Sequence, residues 1–126
     1  MRLLFSTLLF LLLMSCSQAT ENSVFMTDAH RYDPPTLTVP VGTSVMWVNR
    51  SSEAHSVTAY QDSLPSGAEY FSSGGFPSEK VARAHIAPLM TNGDVFSFRF
   101  DEPGTYRYFC IPHEDQGMKG RIVVED

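Results

Sequence analysis

Apolar positions fall into two regimes along the chain. From Leu3 to Met14 they are nearly continuous, broken only by Ser6 and Thr7. Beyond that they come in short runs separated by polar and turn-forming residues, and helical periodicity is scarce. Leu37-Thr38-Val39 and Val45-Met46-Trp47-Val48 are β-branched and aromatic runs. Between them Pro40-Val41-Gly42-Thr43 carries both turn residues, so two strands are predicted. Val57 to Tyr60 makes a short third run. In Val95 to Phe100 the alternation sets Phe96, Phe98 and Phe100 on one face, and in Thr105 to Cys110 it sets Tyr106, Tyr108 and Cys110 on another. Asp101-Glu102-Pro103-Gly104 turns the chain between these two runs, and Lys119 to Val124 gives a closing strand. Seven or so short strands predict an all-β fold, an antiparallel β-sandwich. From Asp62 to Met90 the pattern breaks at Pro65, Gly67, Gly74-Gly75 and Pro77, which predicts a long irregular excursion with a short helix or turn around Ser78 to His85.

The first regime reads as a targeting segment. A positive start at Met1-Arg2 precedes roughly a dozen apolar residues, the length of a signal-peptide core and short of the about 20 that a spanning helix needs. Leu13-Met14-Ser15-Cys16 then resembles a bacterial lipobox, although Met14 stands where a smaller residue is usual. The expected organisation is a lipoprotein signal peptide over 1–15, a flexible tether over 16–23, and one domain over 24–126. Cys16 becomes the lipid anchor, placing an exported protein on a membrane of the cell envelope. An ordinary secretory signal cut after Ala19 is the alternative.

Cysteine usage and charge narrow the function. Only Cys16 and Cys110 exist, and a lipidated Cys16 cannot pair, so the domain has no structural disulfide. A lone thiol in an oxidising compartment then has metal ligation as a reason to stay reduced. The formal net charge of −5 argues against nucleic acid as a partner and favours a basic or neutral one. The chain is expected to act as a monomer.

The chemistry concentrates in Cys110-Ile111-Pro112-His113-Glu114-Asp115-Gln116-Gly117-Met118. A thiolate, an imidazole and a thioether are the donors that a blue-copper site combines with one further imidazole. An isolated Cys110 would be an inert buried thiol, and an isolated His113 a surface histidine. Together, with Pro112 stiffening the loop and Gly117 before Met118, they are candidate ligands. The second imidazole must come from His30, His55 or His85. His55, between the strand at 45–48 and Val57, is the best placed; His30 and His85 are read as surface histidines. The candidate set for one copper ion is His55, Cys110, His113 and Met118. With four protein donors no position stays open for a substrate, which points away from an enzyme.

From about Val24 to Asp126 the chain resembles the plastocyanin-type cupredoxins, the small blue copper proteins that include halocyanins and pseudoazurins. The resemblance rests on the Cys110/His113/Met118 spacing, on Leu37 to Thr43 running into Trp47-Val48-Asn49 and His55, and on Gly104 to Cys110. It implies a cupredoxin-like Greek-key sandwich of about eight strands and single-electron transfer between redox proteins. It also implies docking of donors and acceptors near His113, on a patch that includes Pro112 and apolar neighbours. One position departs: many members carry Asn after the first ligand histidine, where this chain has Ser56. The rival function is an envelope copper carrier or buffer. Carriers expose Met- or His-rich clusters, whereas the six methionines here are scattered, with Met1 and Met14 in the leader.

Overall fold

Among the described residues, eight strands form where β-branched and aromatic residues alternate with polar ones, and they pack as two sheets face to face. The computed structural model describes residues 21–126. The expected signal peptide, most of the tether and Cys16 lie outside the described residues. The strands are β1 (Ser23–Thr27), β2 (Arg31–Asp33), β3 (Thr36–Pro40), β4 (Thr43–Asn49), β5 (Thr58–Ala59), β6 (Val95–Phe100), β7 (Gly104–Phe109) and β8 (Lys119–Glu125). One sheet runs β2-β1-β4-β6 and the other β3-β8-β7-β5. The all-β sandwich expected from the sequence is the fold observed.

Two details correct the expectation. The sheets are mixed rather than antiparallel, because β1 pairs with β4 in parallel and β3 with β8 in parallel. Ordered pairing also begins at the end of the expected tether: the Asn22 carbonyl accepts the Met46 N–H at 2.9 Å, and Ser23 is buried in β1. Among the described residues no helix is long and apolar enough to cross a membrane.

The core is aromatic and draws on both sheets. Trp47 on β4 lies 5.5 Å from the Phe96 ring on β6, 5.4 Å from Tyr108 on β7, and 5.9 Å from Phe71 in the excursion. Tyr108 in turn meets Tyr32 edge-on at 4.7 Å. Its ring lies over Gly120, its register partner on β8. A β-carbon at 120 would stand 2.5 Å from the ring, so only glycine admits this buried tyrosine.

The excursion after β5 is tied down rather than loose. Its one α-helix, α1 (Glu79–Ala84), is capped by Ser78, whose Oγ accepts the Val81 N–H. From α1, Arg83 reaches back to Glu114, with Nη1 to Oε2 at 2.6 Å, and lies over the Phe109 ring. The excursion ends at Met90, whose backbone exchanges both hydrogen bonds with His55 at 3.0 and 2.8 Å.

Candidate metal centre

Two segments converge at one pole of the sandwich, and local hydrogen bonding explains each. The first follows β4. Asn49 is buried with its amide fully used: Nδ2 donates to the Glu53 and Met90 carbonyls, and Oδ1 accepts the Ser51 N–H. Asp28 accepts from the Ser51 hydroxyl and from both the N–H and hydroxyl of Ser52. These bonds, the Ser52 N–H first, hold the Asp28 carboxyl below the usual carboxylate range. The turn at 50–53 is thereby fixed, and His55 follows it on a backbone already paired with Met90.

The second segment leaves β7 at Cys110. A 3-10 turn over Ile111–Gln116 carries His113, and Gly117 ends it at φ +82, a left-handed conformation suited to glycine. Cys110 N–H donates to the Met118 carbonyl at 3.0 Å, and Met118 N–H to the His113 carbonyl at 3.2 Å. The loop is closed at its base, with Cys110 and Met118 both fully buried.

Three of the four sequence candidates meet as a donor triangle. His55 Nδ1 and His113 Nδ1 are 3.0 Å apart, and Cys110 Sγ lies 3.7 Å from the first and 3.4 Å from the second. A point equidistant from these atoms is about 2.0 Å from each, the length of a metal–imidazole bond. Burial, with the other ring's charge as the next cause, keeps the His55 imidazole below the ordinary histidine range. Burial does the same for His113. Both rings are therefore neutral near pH 7, with lone pairs available. Burial pushes the Cys110 thiol up, so its proton must leave when a metal binds. The donor set fits a soft, redox-active ion.

Ser56 joins the two segments. Its backbone N–H points at Cys110 Sγ at 3.4 Å, and its hydroxyl oxygen accepts the Ile111 N–H at 2.8 Å. Tyr32 donates to its carbonyl at 2.6 Å. The hydroxyl thus ties the His55 segment to the Cys110 loop. Ser56→Ala leaves the Ile111 N–H without its acceptor. The expected cost is about 1–3 kcal/mol, read as a lower denaturant midpoint of the metal-free protein.

The other two histidines separate. His85 is exposed, its ring stacked on Phe76 at 5.6 Å. His30 is not the plain surface histidine expected. Its ring stacks on His113 with centroids 4.0 Å apart and planes 11° apart, and its Nε2 is 2.7 Å from Glu53 Oε2. His30, Glu53 and His113 form a second cluster of potential ligands. However, an ion must lie in the plane of each imidazole it binds, and two stacked rings cannot share one. Nothing in the sequence around Glu53 points to His30, 23 positions earlier.

A buried thiol and two imidazole nitrogens around one point, at the end of a β-sandwich, define a mononuclear centre of the copper type. The chain belongs to the plastocyanin/azurin family of copper binding proteins, whose pattern matches residues 18–125. It is 36% identical over 94 residues to plastocyanin of Scenedesmus fuscus, covering 75% of this chain and 86% of that protein. Among solved structures it superposes on a purple cupredoxin from Nitrosopumilus maritimus with a TM-score of 0.59 at 23% identity, covering 82% of this chain and 98% of the other. It also superposes on a copper-containing nitrite reductase from Thermus scotoductus SA-01 with a TM-score of 0.58 at 25% identity, covering 82% of this chain but 22% of that enzyme. Members of the plastocyanin family are blue copper electron carriers, and one copper ion is the cofactor of this chain.

Proposed function

We propose that this protein carries single electrons between redox proteins in the cell envelope, through one copper ion held by His55, Cys110, His113 and Met118. The observation that carries the reading is the donor triangle, closed by a buried thiol. A copper ion held there supplies one-electron chemistry, alternating between two oxidation states. The chain's own contribution is rigidity. Asn49, Asp28 and Ser56 fix the His55 segment, and the Cys110–Met118 backbone bond fixes the other. A scaffold that does not rearrange between the two states keeps electron transfer fast. Met118, fully buried at the end of the same loop, supplies the weak thioether donor.

With four protein donors the centre has no position open to substrate, so the domain acts as a carrier and not as an enzyme. The nitrite reductase is longer by several-fold than the part this chain matches. Donors and acceptors dock at the pole where Pro112 is exposed and His113 lies nearest the surface. A lipid on Cys16 keeps this domain, residues 24–126, at the membrane as a tethered monomer.

The test is the absorption spectrum of the copper-loaded protein, oxidised and then reduced. An intense visible band that bleaches on reduction is expected, from thiolate-to-copper charge transfer. Copper bound without that band would put the carrier or buffer reading first.

A further inference from the structure

The outer edge of His113 is covered, and by an unusual pair. Since Nδ1 faces Cys110 and His55, Nε2 points away from the donor triangle, and there the Glu53 carboxylate stands 3.3 Å off. The same Oε2 lies 2.7 Å from His30 Nε2. His30 reaches this position because the turn between β1 and β2 passes through it at φ +54. That left-handed backbone is uncommon for a residue with a β-carbon, and such strain collects at functional sites. Glu53 is anchored from its own side. Its N–H donates to Ser51 Oγ, and its carbonyl accepts from Asn49 Nδ2.

We propose that Glu53 is a positioning residue for His113, held in place by His30, and that it lowers the reduction potential of the centre. This rests on the assignment of His113 as a copper ligand. Two effects act in the same direction. A carboxylate on the outer nitrogen of a metal-bound imidazole fixes the ring and raises its basicity, favouring the more strongly bound oxidised ion. Its negative charge also favours the more positive of the two copper states. A carboxylate is ionised at neutral pH, and His30 Nε2, 2.7 Å from its oxygen, holds that charge beside the ring. The Glu53 side chain is about half exposed, and solvent screens much of its charge, so the effect is moderate.

The experiment compares the midpoint potential of the copper-loaded wild type with Glu53→Gln, Glu125→Gln and His30→Phe. Glu125 is exposed at the end of β8 away from the loop and controls for loss of one surface charge. Glu53→Gln is expected to raise the midpoint by an amount equal to about a tenfold change in the oxidised-to-reduced ratio, about 59 mV for one electron. The visible band stays, because the donor triangle is untouched. Glu125→Gln gives a smaller shift. His30→Phe keeps a stacked ring but gives Glu53 no donor, and moves the midpoint the same way by less than Glu53→Gln. An unchanged or lowered midpoint in Glu53→Gln, or one no larger than in Glu125→Gln, overturns the role of Glu53. An unmoved midpoint in His30→Phe overturns the holding role of His30. If the loaded wild type shows no charge-transfer band, the metal-centre reading itself fails and this inference falls with it. A band present with no shift in Glu53→Gln refutes the inference alone.

Discussion

Cys110→Ser is expected to remove the intense visible absorption proposed for the copper-loaded protein while leaving the fold in place. The band requires a thiolate donor, and Cys110 is the one free cysteine among the described residues. Serine offers a hard oxygen whose proton is not surrendered near neutral pH, a poor match for a soft ion. The fold persists because the substitution replaces one buried atom by a slightly smaller one, and the Ser56 N–H that points at Sγ can turn to the new oxygen. Affinity falls as well. A ligand present at a thousand times its Kd stabilises the native state by about 4.1 kcal/mol, and the variant loses most of that increment. Absorption of the loaded variant, with denaturation midpoints taken with and without copper, reads both effects. A band that survives would show that the thiolate is not the donor.

Trp47→Ala is the most damaging change expected in the core, at about 3–5 kcal/mol. Against a total stability of roughly 5–15 kcal/mol this leaves a marginal domain. The side chain is fully buried and lies against Phe71, Phe96, Phe100 and Tyr108, so it spans the gap between the sheets. Its strand is paired on both sides, with Val24 of β1 and Phe96 of β6 as register partners. Two residues further on, Asn49 organises the turn that delivers His55. Loosening β4 therefore weakens copper retention as well as the core. Chemical denaturation of the metal-free variant measures the first effect, and copper titration the second. Trp47→Phe, which keeps an aromatic ring, loses less. A loss below about 1 kcal/mol for the alanine variant would mean that the sheets close around the missing ring.

Much of this architecture is legible in the chain because burial writes itself as alternation. The row Phe96, Phe98, Phe100 does face inward, and Tyr106, Tyr108 and Cys110 are all buried. The helix near Ser78 is present, begun by that residue's cap. What alternation does not carry is pairing. A strand's own pattern says which face is buried, not which neighbour lies alongside or in which direction, so the parallel β1–β4 and β3–β8 ladders are not legible in it. Strand β2 has a single buried residue, Tyr32, too little for any period to register. The metal pole was readable to the extent that its chemistry is local, as in Cys110 to Met118, or is set by a place between strands, as for His55. The part built from a backbone angle was not. His30 meets His113 only because one turn adopts φ +54, and no composition or spacing encodes that fold-back.

The two loops that serve the metal pole differ in how freely they can diverge. Residues 110–118 have no slack: the Cys110 N–H is hydrogen-bonded to the Met118 carbonyl, so one inserted residue would displace a candidate donor. The excursion from Gln61 to Leu89 is pinned at its far end by the His55–Met90 exchange, so the His55 backbone is held whatever lies between. Lengthening a closed loop costs only about 0.6 kcal/mol per doubling. Apart from Phe71 in the core, the bonds of Ser72 and Ser73 to residues 57–58 and the Arg83–Glu114 contact, this segment can be rewritten over evolutionary time, changing the shape and charge beside the pole while the candidate donors are kept.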